Sequence, residues 1–187
     1  MGKGLFSFLF SFCFIFSSFP QEDVSLLVES KYFSIYAYKN LDIPYLLIRL
    51  NFEYLLHSQN LGSSTDTKSL LADTLDALYL EVSDILDLHV YSYHGKIYLL
   101  KDKDSVSSVF FQYFGRSFPE KSFYLHEKNS IYISCADITL GMLGHEIAHA
   151  VISHYFVVPP SAKIQEVLAG YVEYSLRKIT DTLSKSF

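Results

Sequence analysis

The sequence has few charged residues, and basic residues are fewer than acidic ones. Only 19% of its 187 residues are charged while half are hydrophobic, a balance that argues against an intrinsically disordered chain. Lys and Arg number 15 against 20 acidic residues, which gives a formal net charge of −5. Because binding to phosphates needs clustered basic side chains, nucleic acid is not an expected partner. Tryptophan is absent, and we attach no functional meaning to that.

Cysteine is also scarce, with only Cys13 and Cys135 in the chain. Cys13 lies in an N-terminal segment that we expect to be removed, and one remaining cysteine cannot form an internal disulfide. The fold must then depend on its hydrophobic core or on a metal. We interpret Cys135 as a small buried residue at the end of a strand rather than as a thiol nucleophile.

The first twenty residues differ from the rest. Lys3 is followed by an apolar run over residues 5–16 and then by two serines, the order found in secretory signal peptides. The run is about a dozen residues long, whereas a membrane span needs about 20. We therefore predict a signal peptide over residues 1–20 and an extracytoplasmic protein. The alternative is an uncleaved N-terminal anchor that tethers the protein to a membrane through residues 5–19.

Residues 21–187 show no internal repeat and no boundary, so we predict one domain. Its hydrophobic periodicity switches between strand-like and helix-like segments, which predicts an α+β fold. We predict strands over residues 31–39 and 96–101, with two more around a turn within 122–134. We predict helices over residues 43–58, 67–90 and 105–115, a motif helix with Asp137 as its N-cap, and a last helix over 162–180.

The stretch LGHEIAHAVISHYF, residues 143–156, places histidines inside an apolar helical pattern. His145 and His149 are four residues apart, so they share a helix face and can converge on one ion at about 2 Å. Glu146 is turned by about 100° and can act as a general base without being a ligand. This is the H-E-x-x-H arrangement, which arises by chance in about one such chain in a hundred. His154 faces away and is not an expected ligand.

A catalytic zinc site uses three protein ligands and leaves one position open, so a third ligand must come from another segment. The prolines at 159 and 160 form a turn after the motif, which makes the next helix its neighbour. That helix carries Glu166, seventeen residues after His149, and Glu173 two turns further on. We predict Glu166 as the third ligand. The alternative is that both glutamates belong to the solvated face of a surface helix.

The stretch HEIAHAVISHYFVVPPSAKIQEVLAGYVEY resembles the minimal zincins of the gluzincin type, in particular the peptidase MA-like group, over roughly residues 140–178. The resemblance implies a zincin-like metallopeptidase domain, in which a small mixed sheet packs on helices. It also implies that the strand before the motif, SIYIS, borders the cleft and pairs with an extended substrate. The roles it implies are zinc ligand for His145, His149 and Glu166, general base for Glu146, and a match to the family's helix signature for Ala169 and Tyr171.

At position 170, where many gluzincins place an acid that hydrogen-bonds a ligand histidine, this chain has Gly170. A residue that does not bind the metal itself often orients a ligand histidine by accepting a hydrogen bond from its other ring nitrogen. Glu173 is the candidate substitute for it, and Tyr171 is a second supporting candidate. Family members also carry a tryptophan and a glycine on either side of the third ligand, and this chain carries neither.

These residues predict a zinc-dependent peptidase that hydrolyses peptide bonds with a metal-activated water and Glu146 as general base. Its expected partner is a peptide or protein substrate. The residue that stabilises the oxyanion stays open, with candidates at Tyr171, Tyr174, His94 and His126. Two alternatives remain: a catalytically inactive zincin-like module that binds zinc or a protein, and a membrane-tethered structural protein without metal.

Overall fold

The computed structural model describes residues 24–60, 66–117 and 119–183, so the predicted export segment lies outside them. The described residues contain six α-helices and one five-stranded mixed sheet, which confirms the α+β class. None of these helices has the length and apolar character needed to cross a bilayer. The strands are β1 (Val24–Glu29), β2 (Phe33–Tyr38), β3 (Gly95–Leu100), β4 (Ser122–Leu125) and β5 (Ser130–Ser134). The helices are α1 (Ile43–Arg49), α2 (Phe52–Ser58), α3 (Thr67–Leu86), α4 (Lys103–Phe114), α5 (Leu140–Tyr155) and α6 (Ala162–Leu183).

The strands lie in the order β1-β2-β3-β5-β4. The three central strands are mutually parallel, and β1 and β4 pair antiparallel at the two edges. The expectation that SIYIS pairs with a substrate is therefore wrong, because this strand is β5 and both of its edges are occupied. Among the described strands, the one at this edge of the sheet is β4. Its neighbour β5 is buried at all five positions, as a strand with partners on both sides should be.

Helices cover both faces of the sheet. On one face, α4 packs through Val106 and Phe110 against Phe123 of β4 and Tyr132 of β5. On the other face, α3 and α5 form the larger core with the inward residues of the central strands. Leu71, Leu75 and Leu78 of α3 are fully buried in it, as their helical spacing predicts. α5 is thus held between the sheet and the remaining helices, which gives the H-E-x-x-H motif a rigid support.

One predicted helix is interrupted, and another ends earlier than its hydrophobic pattern suggests. The helix predicted over 43–58 is two helices, because Asn51 adopts a left-handed conformation with φ of 51° between α1 and α2. The helix predicted over 67–90 ends at Leu86, where Asp87 is left-handed with φ of 53°. Asn and Asp tolerate this conformation better than other residues with a Cβ, so they interrupt a helix without interrupting the apolar pattern.

The N-cap of α5 is Thr139 and not Asp137. The side chain of Thr139 accepts a hydrogen bond from the Met142 amide at 3.1 Å. Asp137 instead accepts a hydrogen bond from Ser134 Oγ at 2.7 Å and pairs with Lys121 Nζ at 2.7 Å. The Lys121 ammonium and this hydrogen bond hold the pKa of Asp137 below its ordinary value. Its carboxylate therefore ties the start of α5 to the β4 edge rather than capping the helix.

α5 and α6 pack against each other through glycines on α5. A Cβ added to Gly144 would collide with the Leu176 side chain of α6. A Cβ added to Gly141 would lie 3.2 Å from the backbone oxygen of Glu173. The prolines 159 and 160 lie in the connection, so the chain turns back and runs α6 along α5. This close contact places the acidic residues of α6 beside the histidines of α5.

Candidate metal centre

His145 and His149 lie one turn apart on α5 with their rings converging. Their Nε2 atoms are 3.2 Å apart, and both side chains are largely shielded from solvent. Burial, reinforced by the neighbouring His145 ring, lowers the pKa of His149. A lowered pKa favours the neutral imidazole, which is the form that binds a metal. The arrangement therefore offers two nitrogen lone pairs directed into the same small volume.

Glu166 of α6 faces this histidine pair. Its Oε2 lies 3.5 Å from His145 Nε2 and its Oε1 lies 3.5 Å from His149 Nε2. One ligand atom from each of the three residues can be chosen so that all lie within 4.8 Å of one another, and this group could hold a metal ion. Atoms bound to one tetrahedral zinc at about 2.0–2.2 Å are separated by about 3.3–3.6 Å. The nitrogen and oxygen donors are thus both of the right chemistry and close to the required spacing.

Glu146 contacts strand β4, lines the same cavity as the ligand pair and is almost fully buried. Ser122 Oγ donates a hydrogen bond to its Oε1 at 2.7 Å, and the Tyr124 backbone amide also stabilises the carboxylate. Burial nevertheless raises the pKa of Glu146 to about 7. A carboxyl group with a pKa near neutrality can both take up and release a proton, as a general base that later acts as an acid must.

Glu173 lies two turns beyond Glu166 and approaches the outer nitrogen of His145. Its Oε2 is 3.3 Å from His145 Nδ1. That nitrogen is buried and has no well-aligned hydrogen bond among the described residues, so the pair is close without being in line. A carboxylate in this place would fix the tautomer in which Nε2 is the metal-binding nitrogen.

We expect Glu173→Gln to weaken zinc binding about 10- to 100-fold, because the amide loses the charge that orients and polarises the His145 ring. Competition with a chromogenic chelator measures the affinity. The matched control is Glu120→Gln, which alters an exposed glutamate that also borders the cavity and should leave the affinity unchanged. Equal affinities for the wild type and Glu173→Gln would show that Glu173 does not support the ligand.

An open cavity of about 990 Å³ lies over these residues. Its wall combines Ser122, Phe123 and Tyr124 of β4 with residues of α5 and α6. Of the four candidates for oxyanion stabilisation, only His126 lines it. The other three do not: Tyr171 and Tyr174 lie on the exposed side of α6, and His94 bonds to Ser34 and to the Lys31 carbonyl near the β1–β2 turn.

His154 and Cys135 lie outside the candidate centre. The His154 ring packs edge-on against Tyr93 and His126, and its Nδ1 bonds to the Ala150 carbonyl at 2.9 Å. Cys135 is buried directly after β5, and its amide donates to the Leu100 carbonyl at 2.7 Å. The contacts of both residues therefore account for their positions without a role in the metal centre.

Sequence reasoning did not single out the two groups that hold Glu146. Ser122 and Tyr124 belong to β4, whose sequence predicts a strand but gives no sign of which helix residue it meets. The contact joins residues 24 positions apart and depends on how α5 lies across the sheet edge. A serine in a short strand carries no motif, so no signal in the sequence could have revealed it.

The chain has no match among known proteins in three comparisons: none with a protein-family model, none with a curated protein and none with a solved structure.

Proposed function

We propose that the chain is a zinc-dependent peptidase with a zincin-like domain, acting outside the cytoplasm. The observation that carries the proposal is the convergence of His145, His149 and Glu166 beneath an open cavity, with the buried Glu146 beside them. Two histidines and one carboxylate are a ligand set typical of catalytic zinc, which needs a further position left open. The 63% exposed Glu166 side chain faces this open side.

In this proposal each residue has a separate task. The two histidines and Glu166 would hold zinc, which supplies a Lewis acid that polarises a carbonyl and makes water more acidic. Glu146 would take a proton from the attacking water and deliver it to the leaving amine. Ser122 and the Tyr124 amide would hold the Glu146 carboxylate in one orientation, so that it need not reorganise during the reaction.

Strand β4 supports a peptide as the substrate class. It is the edge strand next to Glu146, and its residues form one wall of the cavity. An extended peptide can add to such an edge by main-chain hydrogen bonds, which fixes its register without requiring a particular side chain. A peptide lying there would have its backbone carbonyls close to the base and to the ligand group.

Removal of the metal should abolish peptide cleavage. We expect protein treated with a chelator and dialysed to cleave no member of a broad peptide library, as followed by mass spectrometry of the products. One equivalent of Zn²⁺ should restore cleavage, whereas Mg²⁺ should not, because Mg²⁺ prefers all-oxygen ligands. Cleavage that persists without metal would refute the proposal.

The same experiment distinguishes the alternative, a zincin-like module that binds zinc or a protein without hydrolysis. One zinc per chain with no cleavage of any library peptide would favour that module. The chain would then use the three ligands for stability or for display of the cavity, and Glu146 would have no proton to transfer.

A further inference from the structure

Gln165 stands directly before Glu166 in the first turn of α6, and its side chain lines the cavity. It is partly buried, although its neighbours at 161–164 and 166–167 are exposed. Successive residues of a helix are turned from each other by about 100°. Gln165 and Glu166 therefore reach the cavity from different directions, and the burial of Gln165 indicates that it has contacts of its own there.

The turn before α6 fixes the orientation of the Gln165 amide. Its Nε2 donates a hydrogen bond to the Pro160 carbonyl at 2.8 Å. Proline restricts its own backbone to a narrow range of φ, so this acceptor is held in one place. A carbonyl can only accept, and the amide nitrogen must therefore face Pro160. The amide oxygen of Gln165 is then turned away from the proline and is left as an acceptor for another group.

The second partner of the Gln165 side chain is the His149 ring. Burial lowers the pKa of His149, and a hydrogen bond between this ring and the Gln165 side chain acts in the opposite direction. A hydrogen bond that favours the protonated ring is one in which a ring nitrogen donates and the amide oxygen accepts. This direction agrees with the orientation that Pro160 imposes on the amide. Gln165 thus connects the proline turn to one of the two histidines of the metal centre.

The positions of the other ligands indicate which nitrogen of His149 meets Gln165. His149 Nε2 lies 3.2 Å from His145 Nε2 and 3.5 Å from Glu166 Oε1, so it is directed into the ligand group. The nitrogen left for Gln165 is Nδ1. A neutral imidazole carries its proton on one nitrogen only, so a proton held on Nδ1 leaves the lone pair on Nε2. Nε2 is then the atom that can bind a metal.

We propose that Gln165 is a positioning residue of the metal centre, which accepts the Nδ1 proton of His149 and so presents Nε2 of that ring as a ligand. Glu173 has the corresponding place at His145, where its Oε2 lies 3.3 Å from Nδ1. With both outer nitrogens protonated, two lone pairs face each other across 3.2 Å, which is unfavourable unless a cation lies between them. The inference rests on the metal centre of the proposed function, but not on peptide cleavage.

The zinc affinity of the full chain, measured by chelator competition, tests this role. Gln165→Met keeps the length of the side chain but has no acceptor for the ring, so we expect it to bind zinc about 10- to 100-fold more weakly. Gln165→Glu can still accept the Nδ1 proton although it cannot donate to Pro160, so it should bind zinc at least as tightly as the wild type. Gln112→Met, at an exposed position on α4, is the matched control and should not change the affinity.

The tautomer of His149 is a second readout, which requires neither zinc nor activity. Long-range proton–nitrogen NMR correlations show which ring nitrogen carries the proton, and they are recorded on metal-free protein at a pH where both imidazoles of the centre are neutral. We expect the proton on Nδ1 in the wild type and in Gln165→Glu. In Gln165→Met a share of the protein should carry it on Nε2 instead. The spectrum of His149→Ala assigns the signals.

Three results would overturn the inference. His149 of the wild type could carry its proton on Nε2, or Gln165→Met could match the wild type in zinc affinity, and either result would show that Gln165 does not orient the ring. Gln165→Glu could lose as much affinity as Gln165→Met, which would mean that the residue only holds the turn at Pro160. A wild type that binds no zinc would instead refute the proposed function, and the tautomer of the metal-free protein would still decide the role of Gln165.

Discussion

Replacing Glu146 with Gln is expected to lower kcat for peptide cleavage by about 10²- to 10⁴-fold while the protein still binds one zinc per chain. Glutamine has nearly the same shape, and its amide oxygen can accept the hydrogen bond that Ser122 now donates at 2.7 Å. It cannot, however, take a proton from water. Cleavage is measured on the best peptide from a library, and zinc by elemental analysis of the same sample.

The control for this variant is Glu53→Gln, which makes the same chemical change at an exposed position on α2. It should match the wild type in both activity and zinc content. If Glu146→Gln cleaves peptides as fast as the wild type, Glu146 is not the base and the proposed mechanism fails. If it loses zinc as well as activity, the variant has damaged the ligand group and says nothing in favour of a base.

Replacing His149 with Ala is expected to weaken zinc binding by several hundredfold and to abolish cleavage at micromolar zinc. Structural zinc sites bind with about 10–16 kcal/mol shared among their ligands, so one ligand accounts for about 3–4 kcal/mol. His149 is the less exposed of the two histidines, and alanine removes one of the three donor atoms that could hold the ion. Chelator competition gives the affinity.

His154→Ala is the matched control, because it removes an imidazole from the same helix. His154 contacts Tyr93, His126 and the Ala150 carbonyl rather than the ligand group. Its loss should reduce stability somewhat without changing the zinc affinity. Comparable losses of zinc in both variants would mean that the histidines of α5 act through the stability of the helix and not as ligands.

The parts of the fold that were predictable are those in which local pattern and tertiary environment agree. The apolar spacing of Leu71, Leu75 and Leu78 predicts α3, and all three are buried. The proline pair after α5 predicts a turn, and α6 does run back along α5. The spacing of His145 and His149 on one helix face follows from the 3.6-residue period alone.

Elements that depend on tertiary context were missed or misplaced. Strand β1 was not predicted, because its register shifts between Leu26 and Val28 and its burial does not alternate. The break at Asn51 was missed because a left-handed Asn leaves the apolar pattern intact. Asp137 looks like an N-cap in sequence, but the lysine that draws it away lies sixteen residues earlier on the chain.

In the candidate site too, some features are encoded locally in the sequence and others depend on tertiary packing. The ligand pair and the adjacent glutamate form a local motif, so the sequence indicates them directly. The position of Glu166 depends on how closely α5 and α6 pack. The glycines of α5 allow this close packing, but they do not form a sequence pattern that predicts it. The contact of Ser122 with Glu146 depends on the strand order, and one sequence contains no signal for it.

The most direct test of the central claim is the position of a bound zinc ion. Crystals of protein reconstituted with one equivalent of zinc would be measured at the zinc absorption edge to locate the ion by anomalous scattering. We predict one peak per chain, within about 2.0–2.2 Å of the Nε2 atoms of His145 and His149 and of one Glu166 carboxylate oxygen. A peak bound elsewhere, or one held by the two histidines with Glu166 more than about 3 Å away, would contradict the account.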